Sequence, residues 1–164
     1  MKKSKSRRPS ARTTASRKTA AKRSRAVRKP AKPALSEKAR LARNKKVVLA
    51  FYDQAINKKD FEAARKYMGD TYTQHNPTAV DGAEGLRVWL AEFKRTFPDL
   101  RAEVKRVIAE GDYVVLHVHG TSGGPHEHGT AVVDIFRVKD GKLVEHWDVI
   151  QAIPARASND NTMF

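Results

Sequence analysis

The spacing of apolar side chains changes at Pro98, and that change limits the folds open to the chain. Before it, Leu41, Val48, Phe51, Ala55 and Ile56 recur at threes, fours and sevens, the repeat that lines one face of a helix. Ser36 stands where a side-chain oxygen can cap this helix, and Asn57-Lys58-Lys59 closes it. Asp60 caps a second helix, Phe61 to Met68, ended by Gly69, and an extended stretch runs from Asp70 to Pro77. A third helix covers about Ala83 to Phe97, with Leu86, Trp89, Leu90 and Phe93 on one side and Pro98 as its stop. Beyond Pro98 the period falls to two, in runs near 100–110, 112–120, 128–138 and 143–151. The turns are Gly111-Asp112, a loop from Thr121 to Glu127, and Lys139-Asp140-Gly141. Three helices followed by an antiparallel meander specify an α+β domain. About 130 residues suffice for one core, and a strongly bent sheet wrapped by helices leaves a cone whose mouth is a natural ligand site.

Charge separates this domain from what precedes it. The chain of 164 residues carries a net charge of +15, and residues 1–34 hold 14 Lys and Arg with no Asp or Glu. Met1 and Val27 are the only large apolar side chains there, too few to offset the entropy of ordering the segment. The expectation is a disordered basic tail over residues 1–35 and a folded domain over 36–164. Arg7, Arg8, Arg12, Arg17, Lys18, Lys22, Arg23, Arg25, Arg28, Lys29 and Lys32 could neutralise phosphates of nucleic acid without reading its sequence. A solvated extension serving solubility is the alternative. The tail's composition is similar to that of the lysine-rich tails of linker histones. It has no apolar run of the kind a secretory signal needs. No stretch approaches the roughly 18 apolar residues of a membrane span, and the chain has no Cys, so a cytoplasmic protein without disulfides or membrane association is expected.

The last hairpin decides which side chains share a face. Read as a type I turn with a left-handed Gly141, Lys139-Asp140-Gly141 is a three-residue connection. In that register Val138 faces Lys142, Asp134 faces His146 and Val132 faces Asp148, so Val132, Asp134, His146 and Asp148 point one way. A two-residue Asp140-Gly141 turn would instead set Asp134 beside Trp147, opposite His146 and Asp148. Asp134 lies among Val132, Val133, Ile135 and Phe136, where a carboxylate is costly unless paired or facing a wet cavity. His146 is its natural partner, either as a structural pair or as part of a functional site. His75, before Asn76-Pro77, reads as a loop cap or as a pocket residue, and Trp89 and Phe93 as core or pocket wall. Trp147 and Val149 alternate to the other face, an apolar surface that a second copy would cover, so a homodimer is expected. His117-x-His119 and His126-x-His128 could each place two imidazoles on one ion, but no carboxylate stands at a fixed spacing from them, and no metal is assigned.

Several separated segments resemble one family. Tyr72-Thr73-Gln74-His75-Asn76-Pro77, Asp81-Gly82, Phe97-Pro98-Asp99-Leu100 and the run from Val133 to Gln151 are similar to SnoaL-like proteins of the nuclear transport factor 2-like superfamily. The resemblance covers about residues 40–164, and the closing run from Asn159 to Phe164 is typical of one branch. It implies a cone-shaped α+β barrel. Polyketide cyclases of the family close a ring by intramolecular aldol condensation without a cofactor, using an acidic residue on the last strand; Asp148 matches that position and His146 the His before it. Asp134 stands where the cyclases carry a His, a departure that bears on ring closure. On this reading Asp148 is the base, with His146, His75 or Tyr72 as donor and Asp134 beside them, and Tyr72, Asn76, Trp89, Phe93 and His117 contact a small hydrophobic or carbonyl ligand. The competing reading is a non-catalytic ligand-binding or dimerisation domain whose basic tail binds nucleic acid.

Overall fold

The structure, a computed structural model, describes residues 35–121, 126 and 128–164. The expected tail, with every residue assigned to nucleic-acid contact, lies outside the described residues.

Helix α1 (Glu37–Tyr52) starts where the Ser36 hydroxyl accepts a hydrogen bond from the Ala39 N–H at 3.3 Å, a cap that satisfies one of the first-turn donors. It runs on into one π-helical stretch, Asp53–Asn57, and the chain reverses at Lys59, which has φ 53°. The Lys59 Nζ donates to the Leu100 carbonyl at 2.9 Å. Helix α2 (Phe61–Arg65) is capped by Asp60, whose carboxylate accepts from the Ala63 N–H at 3.0 Å. It is shorter than expected, because Met68 opens strand β1 (Met68–Gln74). Helix α3 (Gly82–Thr96) follows, then β2 (Ala102–Glu110), β3 (Tyr113–Gly120), β4 (Thr130–Lys139) and β5 (Lys142–Ala152). The sheet order is β1-β5-β4-β3-β2. The last four strands form the expected antiparallel meander, while β1 adds a parallel edge against β5.

The helices cover one face of the sheet. Val114, Leu116, Val118, Phe136 and Val138 are buried there with Val48, Phe51 and Tyr52 of α1 and Leu86 of α3. Each such side chain contributes about 1.5–3 kcal/mol by leaving water, set against the entropy of ordering it. Phe51 and Tyr52 meet Phe136 nearly edge-on, at 72° and 82°, the geometry that ring quadrupoles favour.

The hairpin between β4 and β5 departs from expectation. Asp140 and Gly141 both have positive φ, 52° and 79°, and Lys139 pairs with Lys142, so the connection is a two-residue type I′ turn. Alone, that turn would send Asp134 and His146 to opposite faces. A bulge compensates: Val138 pairs with Leu143 but Arg137 with Glu145, which makes Val144 an extra residue on β5. Leu143 and Val144 are accordingly both buried. The start of β5 is held by β1, where Leu143 N–H donates to the Tyr67 carbonyl at 2.9 Å and Met68 pairs with Leu143. Asp134 therefore faces Asp148, not His146, and Phe136 faces His146. The register differs from the expected one by two residues, which preserves parity, and Asp134, His146 and Asp148 share the inner face.

Candidate functional site

Between α1, α3 and the inner face of the sheet lies a cavity of about 300 Å³. Ile56, Trp89, Phe93, Leu100, Val118 and Val132 form much of its wall. Trp89 and Phe93, one helical turn apart, stack at 4.9 Å and 13°, and both line the cavity. Tyr52, Asn76, Asp134 and Asp148 make its polar end. Behind them a smaller space of about 60 Å³ is bordered by Tyr72, Gln74 and His146. Asp134 and Asp148 border both spaces, whereas His146 borders only the inner one.

The polar groups form one connected network. Asp148 Oδ2 accepts from Asn76 Nδ2 at 2.6 Å. The Asn76 amide is itself oriented, since its Oδ1 accepts from the Thr78 N–H at 2.8 Å and the Thr78 hydroxyl at 2.6 Å. Asp134 is engaged at both oxygens, by His146 Nε2 at 3.0 Å and by the Tyr52 hydroxyl at 2.9 Å. The other ring nitrogen of His146 lies 2.8 Å from Gln74 Oε1. Asp134 and His146 are buried, and burial of such groups is tolerated because they are paired. Burial, reinforced by the charge on Asp134, holds the Tyr52 hydroxyl well above its usual ionisation range. The Tyr72 hydroxyl is raised as well, first by burial and then by Asp134 and Asp148. Both phenols therefore stay protonated and able to donate. Among the described residues, Asp148 Oδ1 and the Tyr72 hydroxyl make no hydrogen bond.

Asp134, His146 and Asp148 offer ligand atoms within 4.8 Å of one another. Their hydrogen bonds to Tyr52, Gln74 and Asn76 already satisfy most of those atoms, so we read the cluster as a hydrogen-bonded site and not as a metal centre.

Two expected site residues are elsewhere. Along β1 the inward positions are Tyr72 and Gln74, so His75 points out. Its Nε2 lies 3.0 Å from Glu145 Oε1, and its ring stacks on Trp147 at 4.5 Å and 5°. Beside it, Arg137 Nε donates to Glu145 Oε2 at 2.6 Å. His75 and Arg137 together hold the Glu145 carboxyl below its usual range. His117 likewise alternates with the inward Leu116 and Val118 and meets Arg106 and Phe164 on the outer surface. It borders neither of the two cavities described above. His119 lies beside Phe164, and His126 and His128 are exposed; the two His-x-His pairs do not converge with each other or with a carboxylate among the described residues. Conversely, sequence reasoning missed Tyr52 and Gln74. Tyr52 sits one turn after Val48 on the buried stripe of α1, and Gln74 two residues after Tyr72, but only the pairing of β1 with β5 shows what they meet.

Comparison with known proteins agrees with this architecture. The model of the SnoaL-like domain matches residues 48–146. A candidate polyketide cyclase from Bacillus cereus ATCC 10987 superposes with a TM-score of 0.60 at 24% identity, covering 71% of this chain and 78% of that one. A candidate SnoaL-like polyketide cyclase from Jannaschia sp. CCS1 gives 0.57 at 23% identity, with 71% and 91% covered. AclR, a candidate hydroxylase from Streptomyces galilaeus, gives 0.54 at 27% identity, with 70% and 82% covered. No curated protein matches the chain significantly. Among the described residues no helix is long and apolar enough to cross a membrane. With the domain match spanning more than half of the sequence and the helices packed on a five-stranded sheet as in these structures, the chain belongs to the SnoaL-like family of the nuclear transport factor 2-like superfamily.

Proposed function

We propose that the domain is a cofactor-free general acid/base catalyst acting on a mostly apolar carbonyl compound, in an aldol-type cyclisation or an isomerisation. One observation carries this reading: Asp148 is anchored through Oδ2 by Asn76 at 2.6 Å, and among the described residues its Oδ1 is unengaged at the polar end of an apolar cavity. In the step we infer, Asp148 takes a proton from the carbon beside a carbonyl. The electron pair of that C–H bond moves onto the carbonyl oxygen as an enolate. The enolate carbon then attacks a second carbonyl, whose oxygen receives the electron pair of the broken C=O π bond and takes the proton back from Asp148, or Asp148 returns the proton at another carbon. The Tyr72 hydroxyl, buried and protonated, is the donor available to the oxyanion, because that of Tyr52 is committed to Asp134. A positioned base contributes about 10²- to 10⁴-fold and an oriented oxyanion donor about 10²- to 10³-fold, enough for an activated dicarbonyl.

The test is deuterium exchange at the activated carbon of a β-diketone in D₂O, followed by proton NMR. The wild type should accelerate exchange, and Asp148→Asn should lose at least about 100-fold of that acceleration while still binding the diketone. Equal exchange by both proteins would leave a ligand-binding domain as the better reading.

The outer sheet face favours self-association as part of this reading. Val149 is 69% exposed and pairs with the exposed Val133, and Ile108, two strands from Val133 on the same face, is 61% exposed, apolar surface that a second copy would cover. A dimer would also display two copies of the segment with 14 uncompensated cations. We propose that this segment holds nucleic acid without sequence preference. If about half of its charges engage phosphates, the slope of log K against log salt should be roughly −6. A full-length protein and one lacking residues 1–34 that bind a random duplex equally would remove that role.

A further inference from the structure

We infer that Gln74, through the fixed orientation of its amide, keeps one proton on the Asp134–His146 pair and so leaves the net charge of this hydrogen-bonded network on Asp148. A backbone N–H can only donate. The backbone N–H of Asn76 lies 3.0 Å from the Gln74 Oε1 position, so that atom is the amide oxygen; the reverse orientation would set an NH₂ against an N–H. The same oxygen lies 2.8 Å from His146 Nδ1, and an amide oxygen cannot donate, so Nδ1 carries a hydrogen. A neutral imidazole has one N–H. Its Nε2 would then present a lone pair to Asp134 Oδ1 at 3.0 Å, and two acceptors do not rest at that distance without a proton between them.

Two distributions satisfy the geometry: an imidazolium beside a carboxylate, or an imidazole beside a carboxylic acid. In either, the pair is neutral. The other titratable groups facing it are Tyr52 of α1, Tyr72 of β1 and Asp148 of β5; Glu145 and Arg137 lie on the other face of the sheet. The two phenols are protonated, so the charge that remains is that of Asp148, whose carboxylate lies within 4.8 Å of the pair. The arrangement is physically sensible because two bare carboxylates so close in an apolar cavity would repel each other. The shared proton relieves that repulsion.

A consequence follows that rests on the function proposed above. Neither cavity is lined by Lys or Arg among the described residues, and Glu92, the other carboxylate bordering the larger cavity, is paired with Arg95 at 3.0 Å, so a site whose net charge is that of Asp148 should take neutral carbonyl compounds and reject carboxylate- or phosphate-bearing ones. Gln74 is on this account a positioning residue, acting through His146.

Histidine labelled with ¹⁵N in the full chain tests the proton directly, with a multiple-bond ¹H–¹⁵N spectrum at neutral pH and His146→Asn to assign the signal. His146 should show a protonated Nδ1. A neutral ring protonated at Nε2 alone would overturn the inference. Gln74→Leu removes the acceptor and should release the ring to that Nε2–H tautomer, while Gln74→Glu keeps an acceptor at Nδ1 and should retain the Nδ1 proton. If the Leu variant does not fold, the wild-type and Glu spectra still decide. In the diketone exchange assay, Gln74→Leu should slow exchange about tenfold or more, with Gln74→Glu restoring it. The spectrum does not depend on turnover: a protonated Nδ1 with exchange indifferent to Asp148→Asn would retain the proton assignment and dismiss the catalytic reading.

Discussion

Replacing Tyr52 with Phe removes one oxygen and tests whether the buried network stabilises the domain. Tyr52 is 6% exposed, and its hydroxyl donates to Asp134 Oδ2 at 2.9 Å. The Phe ring would keep the edge-on contact with Phe136, whose centroid is 6.3 Å away, so little apolar burial is lost. What is lost is a hydrogen bond to a group in a proton-sharing pair, worth about 1.5–3 kcal/mol, together with a buried acceptor left unsatisfied. Against a domain stability of about 5–15 kcal/mol, a loss near 2 kcal/mol should lower Tm by roughly 5–10 °C. The measurement is urea unfolding of wild type, Tyr52→Phe, Asp134→Asn and the double variant. The cycle should return a coupling of about 1 kcal/mol or more. A single variant within about 0.5 kcal/mol of wild type would mean that water replaces the hydroxyl from the inner cavity, and the picture of a closed network would be wrong.

Three further outcomes are expected. Gly85→Ala, which in an open helix would gain about 0.5–1 kcal/mol, should instead destabilise by about 1–3 kcal/mol. A methyl there would stand 1.9 Å from the Val80 carbonyl oxygen, and a urea midpoint above that of wild type would refute this packing. Glu145→Gln should cost little at neutral pH, and the cost should vanish in acid. The Glu145 carboxyl is held low by His75 and Arg137, so its contribution is present above the ordinary Glu value of about 4.3 and disappears as pH falls through the depressed folded value. A difference from wild type that grows on acidification would contradict that assignment. Val149→Lys, on the exposed outer face, should convert a sedimenting dimer of the 18.4 kDa chain to monomer. A wild type that sediments as a monomer at tens of micromolar would remove the proposed interface.

What could be read directly from the sequence is what short-range physics encodes. The stripe of Val48, Phe51 and Ala55 and the caps at Ser36 and Asp60 place α1 and α2 because helix period and capping involve residues only a few positions apart. The alternation of Val114, Leu116 and Val118 with His117 and His119 marks β3 in the same way. The similarity of the segments around Asn76 and Asp148 to SnoaL-like proteins pointed to the correct fold. The facing of site residues was different in kind, because parity between strands is changed by a single inserted residue. The hairpin at Asp140-Gly141 is one residue tighter than expected, and the bulge at Val144 adds one back, so Asp134 and Asp148 share a face through two compensating departures. That bulge follows from where Tyr67 and Met68 hold the start of β5, a contact between segments some 75 residues apart. The same parallel pairing turns His75 outward to Glu145 and Trp147 and brings Gln74 to His146. No local pattern distinguishes those two neighbours, since the choice between them is made by a strand that lies elsewhere in the chain.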